Sequence, residues 1–432
     1  MREMKDSNVN WLNTIPCDWA LSRIKYVLNE RIEKNDPIKT KDILSLTAKQ
    51  GVVPLSEKEG GGNKPKEDFT AYKLAYPNDI VINSMNILSG SVGLSKYFGC
   101  VSPVYYMLRP FNDNFDVRYF NYIFQTKVFQ LSLFGLGNGI LIKESGNGKF
   151  NTIRMRIPME KFGNLLIPVP NEKEQIKISN YLDTKCSEID ATAEDIQKEI
   201  ALLEDYKKSV ITEAVTKGLN PDAEMKDSGV KWLPKIPKHW KVIPSKYLFA
   251  NSDIRRQTGD EQLTASQKYG IITQKNYTAK ENAQVVLATQ GLEKWKHVEP
   301  NDFIISLRSF QGGLEMSDIT GCITWHYVVL KAQKKVYHKY YKWLFKSARY
   351  INALQGTCNF IRDGQDLRFS NFALVPLFEL PLEEQQQIAD YLDTKCSEID
   401  TLIADKKRQV DILADYKKSL IYEYVTGKKE VV

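Results

Sequence analysis

The apolar residues of this chain form two long stripes among many short runs. From Ile178 they recur at Leu182, Cys186, Ile189, Ala193, Ile196, Ile200, Leu203 and Val210. The steps are mostly of four and three, which draws one narrow apolar seam along a helix. A second stripe runs through Leu392, Cys396, Ile399, Ile403, Val410, Leu413 and Leu420. So narrow a seam needs a partner, and the chain carries two. Leu182, Ile189, Ile196, Leu203 and Val210 are therefore expected to pair with Leu392, Ile399, Leu413 and Leu420. The two stripes differ at one level, where Ile196 corresponds to Lys406. A lone polar residue there either fixes the register of the pair or snorkels outward.

The stripes belong to a tandem duplication. Tyr181-Leu-Asp-Thr-Lys-Cys-Ser-Glu-Ile-Asp190 returns unchanged at Tyr391 to Asp400. Met4-Lys-Asp-Ser-Asn-Val-Asn-Trp-Leu12 matches Met225-Lys-Asp-Ser-Gly-Val-Lys-Trp-Leu233, and Ile15-Pro16 with Trp19 matches Ile236-Pro237 with Trp240. Pro77-Asn78-Asp79 leads into Ile80-Val-Ile82 as Pro300-Asn301-Asp302 leads into Phe303-Ile-Ile305, each reading as a turn and a short buried strand. Gly99 to Leu108 and Gly321 to Leu330 read as one further strand each. Tyr119 to Phe124 and Tyr340 to Phe345 have the spacing of a short amphipathic helix. The helices are near-duplicates, whereas the globules share only their punctuation.

Capping signals divide the chain. Asn171 with Glu174 makes a capping box after Pro168-Val-Pro170. Lys217-Gly218 and Thr426-Gly427 read as helix ends, and Pro381 as a helix start. The expected divisions are a globule over 1–170, a helix over 171–218, a second globule over 219–380 and a closing helix over 381–432. Each helix would be a rod of roughly 65 Å. The fold class is α/β in the mixed α+β sense.

Composition narrows the function. The 432 residues carry a net charge of +7, with 22 Tyr and 7 Trp. A basic, aromatic-rich chain leans towards nucleic acid, although solubility alone accounts for such a charge in many proteins. No run of about 18 apolar residues exists and the first residues lack the apolar core of a signal peptide, so no membrane association and a cytoplasmic location are expected. The six cysteines contain no Cys-x-x-Cys pair, which argues against disulfides and zinc. The four histidines show no metal-ligand spacing, and His239 beside the repeated Trp240 reads as structural. There is no phosphate-binding Gly-x-x-x-x-Gly-Lys-Ser/Thr loop, no Gly-x-Gly-x-x-Gly turn and no Asn/Asp-Pro-Pro-Tyr/Phe tetrapeptide. A chain this long without a catalytic set reads as a binding protein: no catalytic residue, metal or cofactor is expected in it.

Residues suited to reading bases lie on polar loops, where Arg, Asn and Gln can make paired hydrogen bonds to base edges. In the first globule these are Lys49, Gln50, Asn83, Ser84, Asn86, Asn138, Lys143, Lys149 and Arg154. In the second they are Lys268, Tyr269, Gln274, Lys275, Arg308, Ser309, Gln311, Arg362 and Gln365. Matched places carry different residues, with Asn83-Ser84-Met85 standing where Ser306-Leu307-Arg308 stands. Two base preferences on one scaffold would look this way. The competing reading is ordinary solvated turns. Lys207-Lys208 and Lys417-Lys418 read as cover for the outer face of the helix pair.

Taken together, the chain resembles the specificity subunit of type I restriction–modification systems. The features that carry the likeness are Glu174-Gln175 with Tyr181-Leu-Asp183, repeated as Glu384-Gln385 with Tyr391-Leu-Asp393. Ala214-Val-Thr-Lys-Gly218 running into Met225-Lys-Asp-Ser228 and Ile236-Pro-x-x-Trp240 adds to it. The resemblance implies two tandem target-recognition domains separated by two long helices that form an antiparallel coiled coil. Each domain would read one half of a split site in double-stranded DNA. The helices would set the gap and dock two methyltransferase subunits, which restriction subunits then join. S-adenosylmethionine, ATP and magnesium would belong to those partners. Asn171 stands where the family often has a second proline. The rival from another class is a coiled-coil scaffold with two protein-binding heads and no sequence-specific DNA recognition.

Overall fold

The structure, a computed structural model, describes residues 2–47, 50–59, 65, 67–137, 156–281, 288, 290–307, 309–357 and 367–431. The chain divides into two units, Met1–Ile196 with Arg408–Val432 and Gln197–Lys407. Each unit joins one globule to the N-terminal part of one long helix and the C-terminal part of the other. The long helices span Glu172–Lys217 and Leu382–Val425.

Both globules are built alike. In the first unit a four-stranded antiparallel sheet has the order Leu28–Arg31, Tyr105–Pro110, Ile80–Asn83, Val92–Leu94. The order in the second unit is Phe249–Ser252, Val328–Ala332, Phe303–Ile305, Glu315–Met316. Alternation along the strands feeds two apolar layers. Ile80 and Ile82 face a large core with Trp19, Tyr119, Phe120 and Phe124, while Val81 and Met107 face a small one with Leu44, Leu46 and Val52. Phe303 and Ile305 against Ile304 repeat this in the second unit. The amphipathic helices form as expected, at Val117–Gln125 and His338–Lys346, with their paired aromatics buried.

The Pro-Asn-Asp turns have one physical design. Asn78 and Asn301 take left-handed backbone, φ 69° and 74°, which Asn tolerates better than most side chains. Asp79 and Asp302 then accept the N–H groups of Tyr76 at 2.9 Å and Glu299 at 2.8 Å, closing the turn. Arg31 and Lys331 neutralise the two carboxylates. The stretch from Gly99 to Leu108 departs from the single strand expected of it. It is two strands, Gly99–Val101 and Tyr105–Pro110, which join different sheets. Pro103 cannot donate to a ladder, and Tyr105 N–H closes a turn on Ser102 O at 3.0 Å. Gly321–Ile323 and Val328–Ala332 break in the same way.

The repeated Glu-Gln pair bolts each globule to its helix. Gln175 is buried; its amide nitrogen donates to Pro170 O at 2.8 Å and its oxygen accepts from Asp116 N at 3.0 Å. Gln385 does the same with Leu380 O and Tyr337 N, both at 2.8 Å. The indoles of Trp19 and Trp240 each donate to the preceding glutamate, Glu174 and Glu384, at 3.0 Å. Only half of the expected capping box forms. Glu174 N–H donates to Asn171 Oδ1 at 3.0 Å, but the Glu174 carboxylate is taken by Trp19 and Arg2. A guanidinium and a buried indole are better partners than a solvated backbone N–H.

Within each unit the helix segments run antiparallel. Lys207 reaches Asp400 at 2.6 Å, and Lys417 reaches Asp190 at 2.6 Å, the same pair with the helices exchanged. Tyr119 donates to Val425 O and Tyr340 to Val215 O, both at 2.9 Å, so each globule also holds the end of the other helix. Leu182, Ile189, Val210, Leu392, Ile399 and Leu420 are buried. Ile196, Leu203 and Leu413 are only partly covered. Lys406 does not enter a seam: it pairs with Glu199, the snorkelling alternative.

Two outcomes are expected. Replacing Gln175 or Gln385 with Ala strands two buried backbone groups and costs about 2–5 kcal/mol, read as a lower urea midpoint. Among the described cysteines only Cys17 is exposed, and burial pushes the Cys186 thiol up to about 11. Native protein at pH 8 should therefore be alkylated at Cys17, with Cys100, Cys186, Cys322 and Cys396 labelled only after unfolding.

Candidate nucleic-acid interface

Three turns meet at one end of each globule. The first is the tip of a hairpin, Leu44–Thr47 with Gly51–Pro54 and Leu263–Ser266 with Gly270–Thr273. Thr47 pairs with Gly51 and Ser266 with Gly270, so the second tip is residues 267–269 and the first lies between Thr47 and Gly51. The residue that closes each tip takes left-handed backbone, and Gly51 and Gly270 supply it with φ of 67° and 68°. Hydroxyls brace both tips: Gln50 N–H donates to Thr47 Oγ1 at 2.9 Å, and Lys268 N–H to Ser266 Oγ at 3.2 Å.

Strand directions bring the other two turns alongside. Ile43 bridges Cys100, and Gln262 bridges Cys322, in parallel sense. The hairpin strands thus run the same way as Gly99–Val101 and Gly321–Ile323, and the turns at the ends of these strands lie at the hairpin-tip end. Asn83 stands opposite Tyr105, and Ile305 opposite Val328. The turns leaving Ile80–Asn83 and Phe303–Ile305 therefore share that end. Ser84 Oγ donates to Val104 O at 2.7 Å, and Ile157 N–H to Ser84 O at 3.0 Å, tying three segments together. In the second unit a Cβ on Gly312 would lie 2.8 Å from Gln267 Nε2, so the Ser309–Gly312 turn rests on the hairpin tip.

The candidate base-reading residues distribute unevenly over this end. Lys49, Asn138, Lys143, Lys149, Arg154, Arg308, Arg362 and Gln365 lie outside the described residues. Asn86 and Gln311 are exposed there. Asn83, Ser84 and Ser309 are buried and spent internally, Asn83 on Met85 N–H and Ser309 on Ser306 N–H. Gln50 ties the tip to the segment beyond the hairpin, donating to Glu57 O at 3.2 Å and accepting from Glu59 N at 3.0 Å. Gln274 and Lys275 sit at the opposite end of their hairpin, where Gln274 N–H donates to Gln262 O at 2.9 Å.

Lys268 and Tyr269 form a built cluster. The helix Gln274–Glu281 folds back so that Glu281 accepts from Lys268 at 2.8 Å and from the Tyr269 hydroxyl at 2.7 Å. Lys268 and Lys280 each lie 4.8 Å from the centre of the Tyr269 ring. Lys280 and Glu281, which the sequence did not single out, join Lys268 and Tyr269 only because the helix folds back. The lysine, then the tyrosine, hold the Glu281 carboxyl below the usual range, and Glu281 holds Lys268 above its own.

These features define a class of fold: two α+β globules of one plan, each followed by a long helix. The fold is that of type I restriction–modification specificity subunits. The chain matches a chain from work on complex assembly and conformational transition of a type I R–M system, with TM-score 0.65 at 13% identity over 96% of this chain and 99% of that one. It matches the HsdS subunit from Thermoanaerobacter tengcongensis with TM-score 0.52 at 13% identity, over 96% and 98% of the two chains. In sequence it is 23% identical over 279 residues to the putative type I restriction enzyme MjaX specificity subunit of Methanocaldococcus jannaschii. That match spans 62% of this chain and 60% of the relative. No family model matches the chain. Among the described residues no helix is long and apolar enough to cross a membrane.

A lowered carboxyl stabilises the fold above its unfolded pKa and loses that contribution as pH falls through the folded value. Carboxyl NMR of Glu281 should therefore show a midpoint below the ordinary glutamate range, returning towards it in Lys268→Met.

Proposed function

We propose that this chain is the DNA sequence-recognition subunit of a type I restriction–modification assembly and catalyses nothing itself. In this reading each unit contacts one half of a bipartite site in double-stranded DNA through its three-turn end. The observation that carries the proposal is the pair of matched hairpins, alike in register and in the left-handed glycine that follows the tip, and different in sequence between these points. One scaffold offering Gln50 in one copy and Tyr269 in the other suits two different half-sites. The name of the archaeal relative and the shared fold support the same reading.

The long helices would be the assembly surface. Leu202 and Tyr206 are exposed four residues apart, and Ile412 and Tyr416 repeat them in the other helix. Side chains four apart share a helix face, so the chain offers equivalent apolar pairs to two identical methyltransferase subunits. Restriction subunits would join these. S-adenosylmethionine, ATP and magnesium would be held by the partners and none by this chain. The work would be done in the cytoplasm, beside the host DNA.

The deciding experiment is base-modification mapping of DNA from cells expressing the assembly. A split motif methylated on both strands is expected, and its loss on deletion of this chain. Methylation without a sequence motif, or unchanged without the chain, overturns the reading. Freeing Lys268 from its carboxylate should add one phosphate contact. Glu281→Gln is thus expected to raise affinity for duplexes of any sequence and to steepen the slope of log K against log salt by about 1, measured by fluorescence anisotropy.

A further inference from the structure

The turn between Gly321–Ile323 and Val328–Ala332 carries Trp325, 50% exposed. Large aromatics usually bury most of their surface, so a half-bare indole on a tight turn is informative. Across the paired strand ends stands Leu307, 48% exposed, on the turn that leaves Phe303–Ile305. The two side chains belong to adjoining turns of the three-turn end. The first unit has Pro103 and Ser84 at the corresponding places, and Ser84 is buried. At this turn the second copy thus exposes an indole where the first exposes only the small ring of Pro103, and the hairpin tip at the same end carries Tyr269 with Lys268 and Lys280 over its ring.

We infer that Trp325, flanked by Leu307, is a specificity-determining contact of the second unit, recognising the C5-methyl group of a thymine in the major groove. The inference rests on the DNA-recognition reading and names one of its base contacts. Lys280, whose charge is left over beside the Lys268–Glu281 pair at the same end, suits a polyanion better than an apolar protein partner. Thymine methyl is the apolar group that the major groove of DNA presents. Stacking decides against insertion between bases. The Trp325 ring lies on the His326 ring with centroids 3.6 Å apart and planes at 28°. A ring with one face already covered cannot be sandwiched by a base step; its edge and outer face remain for a methyl group.

The test replaces thymine by uracil, which removes only the methyl group, one position at a time in a duplex bearing the mapped site. The full assembly is titrated by fluorescence anisotropy. Wild type is expected to lose roughly three- to tenfold in affinity at a thymine in one half-site only. Trp325→Ala is expected to bind the unmodified duplex more weakly by a similar factor and to be indifferent to the same uracil. Trp325 is exposed, so the variant keeps its core, and Leu307→Ser provides a second variant expected to act in the same direction. Uracil without effect at every thymine, a half-site pair without thymine, or sensitivity retained in Trp325→Ala overturns the inference. In those cases sequence preference itself persists. Wild type that binds all duplexes equally overturns the recognition reading along with it.

Discussion

The structure depends on a polar joint: a buried glutamine and a neighbouring glutamate at the start of each long helix. A helix N-terminus has backbone N–H groups to satisfy, and a globule packed against it has strand and turn ends to satisfy. Gln175 and Gln385 meet the second demand by bonding to both the entering chain and the start of a globular helix. Glu174 and Glu384 fix the angle by taking a tryptophan indole from the first turns of the same globule. Apolar contact alone would let a globule slide along a helix. Directional bonds from two adjacent residues remove that freedom.

Beyond the joint, shared backbone and divergent surface separate cleanly. The hairpin register with its left-handed glycine, the Pro-Asn-Asp turns and the strand break before Tyr105 and Val328 agree between the copies. Their side chains agree only where they serve the backbone. Thr47 and Ser266 brace their tips with the same hydroxyl, while the tip residues themselves share no requirement. A loop end whose shape is maintained by a few braces can change its exposed residues without refolding.

Much of the fold was legible in the chain because repeats report structure twice. The heptad stripes, the buried strands after Asn78 and Asn301 and the paired aromatic helices all come out of periodicity. The ends of the stripes, such as Leu182 and Leu420, pack as their spacing implies, whereas Leu413 and Ile196 are left half-covered near the middle. Periodicity identifies a seam but not how much of the partner reaches it. The candidate site was legible in outline only. Polar residues after a strand look alike in sequence, yet Ser84 and Ser309 turn inward to satisfy backbone groups and Asn86 does not. Trp325 was not legible as a surface residue, because an aromatic between two strands ordinarily signals core.

The close of the second long helix has a topological consequence. Gly427, with φ of 70°, sits where any Cβ would strike Pro16 and Trp19, so the last residues of the chain are seated on its first turns. Gly218, with φ of 76°, sits likewise beside Trp240. Residues 219–224 link that helix end to the next globule. Each unit thus seats a helix end on the first turns of its own globule. Cutting the chain in 219–224 and joining residues near 428 to residues near 4 would reverse the order of the globules while keeping both of these glycine seats.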